Sequence, residues 1–254
     1  MNLFVNAFNV ILYQPLFNAL VWLYQILPGR DFGLAVILLT FLIRLFLYPL
    51  MVQTIRSQKI LADLQPKIQE VQQKYRDDRE KQARAMMELY QKEKINPFGG
   101  IFSLLIQLPI LIALYQVFWR GLRPEEMSSL YSFVPNPGAI DPFFLGLINL
   151  SQASLVLAFL AGIAQFVQSK MMTPGRSPHK SGGGQDQVSQ FSDMLQKQML
   201  YFFPALTVFI LWRLPAAIGL YWIVTSLFSI FQQYLISKKP SREKPPVSCG
   251  ANKI

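Results

Sequence analysis

Hydrophobic positions along this chain gather into blocks without a polar stripe, and polar positions gather between them. Five blocks, 33–52, 97–119, 148–168, 198–212 and 218–236, are apolar nearly all round a helix. A helix crossing the hydrocarbon core of a bilayer needs about 20 such residues, so the pattern predicts an all-α, polytopic membrane protein with a bundle of five transmembrane helices. The fourth block is short and the turn after it, "RLPAA", is tight. The last two helices are therefore expected to form a hairpin whose tip thins the bilayer locally.

Residues 1–32 are apolar as well, but Gln14-Pro15 is expected to break them. From Pro15 onward Leu16, Leu20, Leu23 and Leu27 recur at helical spacing, while Asn18 and Gln25 share another face. This predicts a short amphipathic helix lying in the outer interface, with Trp22 and Tyr24 at headgroup depth. The alternative is a sixth, proline-kinked span or a signal anchor. No small-residue cleavage site is evident.

Within 53–96 the periodicity becomes amphipathic. Ile60, Leu64, Ile68, Val71 and Tyr75 fall three and four apart, "RDDRE" turns the chain, and Met86, Met87, Leu89 and Tyr90 form a second stripe. The expected element is a helical hairpin that restarts near Pro66. Its apolar positions Ile60, Leu64, Ile68, Met86, Met87 and Tyr90 are candidates to receive a client or to meet lipid or the bundle. Asn96-Pro97 reads as the cap of the second span. The 120–147 segment reads as an outer loop without clear structure, 169–197 as a cytoplasmic loop and 237–254 as a basic tail.

Charge sets the expected orientation. The chain carries 24 Lys+Arg against 14 Asp+Glu, and nineteen of those cations lie in the 53–96 hairpin, the 169–197 loop and the tail. The opposite ends of the spans carry only Arg30, Arg120, Arg123 and Arg213. The positive-inside rule places the nineteen, and the C-terminus, in the cytoplasm.

One cation does not fit either side. Arg44 stands inside "LLTFLIRLFLYPLM", where a guanidinium costs roughly 2.5–3.5 kcal/mol on insertion scales and about 10–17 in simulations of an isolated helix. It does not shed its proton. No Asp, Glu or His lies in any of the five blocks. That removes paired carboxylates, proton relays, catalytic histidines and zinc ligands, so neither an enzyme nor a metal or cofactor site is expected. The single His179 and single Cys249 lie in polar segments without partners at ligand spacing.

Polar positions collect around Arg44 instead. Thr40, Arg44 and Tyr48 repeat every four residues; Ser103 and Gln107 lie in the second block and Gln165 and Gln168 in the third; Trp222, Thr225 or Ser226, Ser229 and Gln232 or Gln233 follow one face of the fifth. Arg44 is placed about eight residues before the end of its helix, ~12 Å of rise, beyond what snorkelling covers. These positions predict a water-filled cavity opening to the cytoplasm. Two classes then remain, an anion pathway and a device that admits polypeptide into a hydrated groove.

"TFLIRLFLYPL", "LQPKIQEVQQKY", "MMELYQKEKINPFGGIFSLLIQLPILIALY" and "GLYWIVTSLFSIFQQYLI", in this order, resemble the YidC/Oxa family of membrane protein insertases. The resemblance covers residues 13–238. It implies a five-helix core with a cytoplasm-facing hydrophilic groove, and the compact form without an evident organelle transit peptide points to a bacterial plasma membrane. The resemblance further implies ATP-free insertion and folding of new membrane proteins, alone or with the Sec translocon. Arg44 matches the groove arginine, Thr40 the groove threonine, Trp222 a client-touching aromatic, and Gln165 or Gln168 the groove glutamine. Implied partners are nascent membrane proteins, the Sec translocon, the ribosome, the signal-recognition-particle receptor and membrane lipids, with no DNA. The sequence departs from many family members in lacking a large extracytoplasmic domain, a lipoprotein signal and a long C-terminal extension.

Overall fold

The structure is a computed structural model that describes residues 2–76, 78–93, 99–121, 123–172 and 198–238. His179, Cys249, most of the 169–197 loop, the basic tail and the Asn96-Pro97 start signal lie outside the described residues.

The N-terminal segment is one helical path, α1 (Asn2–Phe8), a π turn (Asn9–Tyr13) and α2 (Gln14–Ile26). The expected break at Gln14-Pro15 does not occur. Pro15 sits in the first turn of α2 and has no N–H to give, and the turn before it widens into π geometry. Asp31 then accepts from the Leu34 N–H at 2.8 Å and starts α3 (Phe32–Phe46).

The first apolar block is two helices and not one. After Phe46 the chain bends by 67° into α4 (Tyr48–Asp63). Pro49 supplies no N–H to the Leu45 carbonyl, and its ring disfavours helical backbone just before it. Pro66 marks a second restart, as its position predicts: α5 (Gln65–Lys74) follows α4, and Asp78 caps α6 (Arg79–Lys92) by accepting from the Lys81 N–H at 3.0 Å. α5 and α6 close on a small core of Leu64 and Ile68 covered by Leu61, Met86, Leu89 and Tyr90. Lys67 and Glu93 join their far ends at 2.9 Å.

After α7 (Gly99–Arg120), the segment expected to lack structure is folded. It forms a 3-10 turn (Pro124–Ser129) and two short antiparallel strands, β1 (Phe143–Phe144) and β2 (Ile148–Asn149). The third apolar block was expected to begin at 148, but Ile148 belongs to β2 and α8 runs Leu155–Met172. Polar side chains explain the late start. Asn149 Oδ1 accepts from the Ser151 N–H at 3.0 Å and from its hydroxyl at 2.6 Å, while Ser154 Oγ accepts from the Leu157 N–H at 3.4 Å. A π turn (Gln198–Phe202), α9 (Phe203–Leu211) and α10 (Ala216–Lys238) complete the description.

Helix α10 is the axis of the bundle. α8 and α3 pack along it, α9 packs on α8, and α2 packs on α3 and α7. The α8–α9 contact is close because Gly162 faces Val208, where a Cβ would collide with the valine methyl. Among the described residues two helices, 3–26 and 216–236, are singly long and apolar enough to cross a membrane, and the bent pair α3–α4 makes a third. α7, α8 and α9 contribute shorter apolar stretches.

Candidate functional site

Arg44 lies in the last turn of α3, two residues before Phe46 and not eight before the helix ends. Depth counted along a straight helix therefore does not describe it. The helix C-terminus favours the positive charge, while burial to 6% exposure against the bundle works against it. Thr40, one turn earlier, is buried with its hydroxyl donating to the Val36 carbonyl at 2.6 Å. Tyr48 leaves this face, because the bend intervenes, and is exposed.

Opposite α3, Tyr221 on α10 is almost fully buried and faces the region of Arg44. Gln107 on α7 donates through Nε2 to the Tyr221 hydroxyl. This joins α3, α7 and α10 at one point. On the adjacent face of α10, Trp222 Nε1 donates to Gln165 Oε1 of α8 at 2.9 Å. Gln165 thereby separates from Gln168, which is half-buried one turn further along α8. No described carboxylate makes an ion pair with Arg44.

Below Tyr221 the inner face of α10 continues polar. Ser226, Ser229, Gln232 and Gln233 are all buried, and Ser229 donates to the Thr225 carbonyl at 2.9 Å. Among the described residues, both polar atoms of the Gln232 amide and the Gln233 Oε1 have no hydrogen-bond partner, which adds to the polar character of this face. Tyr221 was missed by reading the stripe from Trp222. The signal was present, since Tyr221, Thr225 and Ser229 are spaced by four and head the same line.

The hairpin candidates divide. Leu64 and Ile68 are buried in the hairpin's own core, with Met86 and Tyr90 packed on them, so these four apolar faces are used internally. Two antiparallel amphipathic helices satisfy each other first. Ile60 at 44% and Met87 at 57% exposure remain outward.

Apolar helices of crossing length, joined to shorter apolar helices around a buried polar line, define an all-α, multi-pass membrane protein. Comparison with known proteins narrows the class. The family model described as 60Kd inner membrane protein matches residues 22–243. A membrane protein insertase YidC from Fusobacterium nucleatum is 35% identical over 209 residues, covering 82% of this chain and 87% of the relative. The membrane protein insertase MisCA of Bacillus subtilis is 34% identical over 232 residues, 89% of this chain and 78% of the relative. A YidC from Magnetococcus marinus is 33% identical, but this chain spans only 36% of its length. The chain belongs to the YidC/Oxa family of bacterial inner membrane proteins.

Proposed function

We propose that this protein inserts newly made membrane proteins and helps them fold, without a chemical fuel. The observation carrying the proposal is Arg44. A permanent cation is buried at the break of α3, with no described carboxylate as its partner, beside a line of buried polar groups on α10, several of them without a hydrogen-bond partner among the described residues. Such a site lowers the desolvation cost of a client's polar, often acidic, tail entering part-way. Thr40, Gln107, Gln165, Gln168, Trp222 and Ser226 form the rest of the groove. Burial of the client's apolar helix in lipid drives the reaction to completion.

The groove opens to the cytoplasm, the side receiving the nineteen hairpin, loop and tail cations, and five helices traverse the membrane. The hairpin meets clients through Ile60 and Met87. Clients arrive directly or from the Sec translocon, with the ribosome, the signal-recognition-particle receptor and anionic lipid drawn to the basic surfaces. The N-terminal helix lies in the outer interface. Tyr13, Asn18, Tyr24 and Gln25 all bond to the 121–151 loop, so the length of α2 runs beside that loop, whereas a perpendicular span would touch it at one end.

Reconstituted vesicles test the central residue. Arg44→Ala should lower insertion of a client with an acidic tail by about tenfold, and Arg44→Lys should largely retain it. Equal insertion by the two variants and the parent sinks the electrostatic role. Photocrosslinking probes at 40, 44 and 222 should capture the nascent client.

A further inference from the structure

The short hairpin of β1 and β2 lies at the end of the bundle where α3 and α8 begin, and the bundle does not cover its tip. The run 143–148 holds no polar side chain. Phe144 sits on α3 at Gly33, where a Cβ would overlap its ring. Phe143, Leu145 and Leu147 stay outside, with Leu145 60% and Leu147 81% exposed. A lone exposed leucine is ordinary on any protein surface. Three apolar side chains on one six-residue run, seated by an inward phenylalanine, form a patch.

The turn shows that Leu145 does not serve the backbone. Leu145 and Gly146 both have positive φ, 51° and 68°, and the Leu147 N–H closes the turn on the Phe144 carbonyl at 3.0 Å. Two successive left-handed residues are usually Asn-Gly or Gly-Gly, because a larger side chain crowds its own carbonyl there. A leucine held in that conformation with its side chain exposed requires something outside the chain to receive it.

Three observations identify the receiver as lipid. Asp31 caps α3 with one carboxylate oxygen and accepts from the Leu145 N–H with the other, so the tip lies level with the first turn of an apolar helix. The Leu145 and Leu147 N–H groups are both bonded within the protein, and Asp141 at the hairpin base accepts from the Phe143 N–H at 3.2 Å, which suits a medium without hydrogen-bonding groups. The patch also continues into α8, which begins shortly after β2 and turns Leu155, Val156 and Phe159 outward. A partner strand fits less well, because each strand is two residues long and offers little edge.

We propose that the tip of this hairpin is a membrane anchor, with the Leu145 and Leu147 side chains entering the acyl region of the leaflet beside the start of α3. No charged side chain stands on the run to select a headgroup, so the partner is the lipid surface itself. With Phe144 seated on Gly33, the anchor holds the start of α3 at constant depth, at the opposite end of that helix from Arg44.

Spin labels on the full chain in phosphatidylcholine vesicles test this, after Cys249→Ser removes the native thiol. Leu145→Cys and Leu147→Cys place the label at the tip. Ile163→Cys on the exposed face of α8 is the lipid reference, and Ala83→Cys on the exposed face of α6 is the water reference. With oxygen and a water-soluble nickel chelate on both sides of the bilayer, the labels at 145 and 147 should relax with oxygen in preference to nickel, as at 163 and opposite to 83. Leu145→Asn, a residue that suits the turn, should leave the melting temperature in detergent no lower and move the label at 147 toward nickel. Tip labels that respond to nickel as at 83 overturn the anchor. Labels shielded from both reagents reveal a tip covered by protein and overturn it equally, as does a label at 147 that Leu145→Asn does not move.

Discussion

Asn18 shows how a polar residue inside an apolar helix acquires a specific task. It is 3% exposed, accepts from the Tyr131 N–H at 2.6 Å, and donates to the Ser129 carbonyl at 3.3 Å and the Gln14 carbonyl at 2.8 Å. Asn18→Ala leaves half-buried loop groups unpaired and should cost about 1 kcal/mol, read as a lower melting temperature in detergent. Gly162 is equally constrained for the opposite reason. Gly162→Val drives a side chain into Val208 and should destabilise the α8–α9 contact by about 1–3 kcal/mol, whereas Val208→Ala in the same chain should recover part of the loss. At this scale composition named the residues but not their partners. Tyr24, assigned by sequence to the headgroups, is buried, and its hydroxyl accepts from the Asp141 N–H at 3.0 Å, because the loop it bonds to is more than a hundred residues away.

Among elements, the instructive cases are the places where a helix stops. Pro49 lay in plain sight within the first apolar block, yet hydropathy alone merges α3 with α4. Pro49→Ala should let the two helices align, and spin labels at 41 and 56 should then report a longer separation. Insertion should fall with it, since Arg44 would leave the helix end that accommodates it. The Asp78 cap supplies a pH-dependent counterpart. The Lys81 N–H and ammonium hold its carboxyl below the usual carboxylate range. A lowered folded-state value means the cap stabilises α6 at neutral pH and is lost as the pH falls through that value. Protection of the first amides of α6, taken relative to their intrinsic exchange rates, should therefore fall below about pH 4, and Asp78→Asn, which still caps, should remove the dependence. The helices of the hairpin were legible from periodicity because each amphipathic stripe is local. Which stripe residues remain free was not, because that depends on how the pair closes.

For the whole molecule, the bundle and the hairpin have separate hydrophobic cores, so the hairpin can be removed without opening the bundle. Removal of residues 57–94 should abolish insertion while the α3–α8–α10 packing persists, measured as an unchanged near-ultraviolet spectrum in detergent. Normal insertion by that deletion would assign client reception elsewhere. The sequence by itself determined the class: blocks too apolar for water, no acidic residue within them, amphipathic periodicity in the hairpin and a basic bias in the connecting segments are properties of neighbouring residues along the chain. It also singled out Arg44, since a charge among apolar neighbours is visible without coordinates. Tertiary structure alone decided that Arg44 sits at a helix end facing Tyr221, that Gln165 and not Gln168 meets Trp222, and that Phe144 seats a leucine-tipped turn on Gly33. Those facts join residues distant in sequence, and their energies come from packing and hydrogen bonding between helices, which no local pattern encodes.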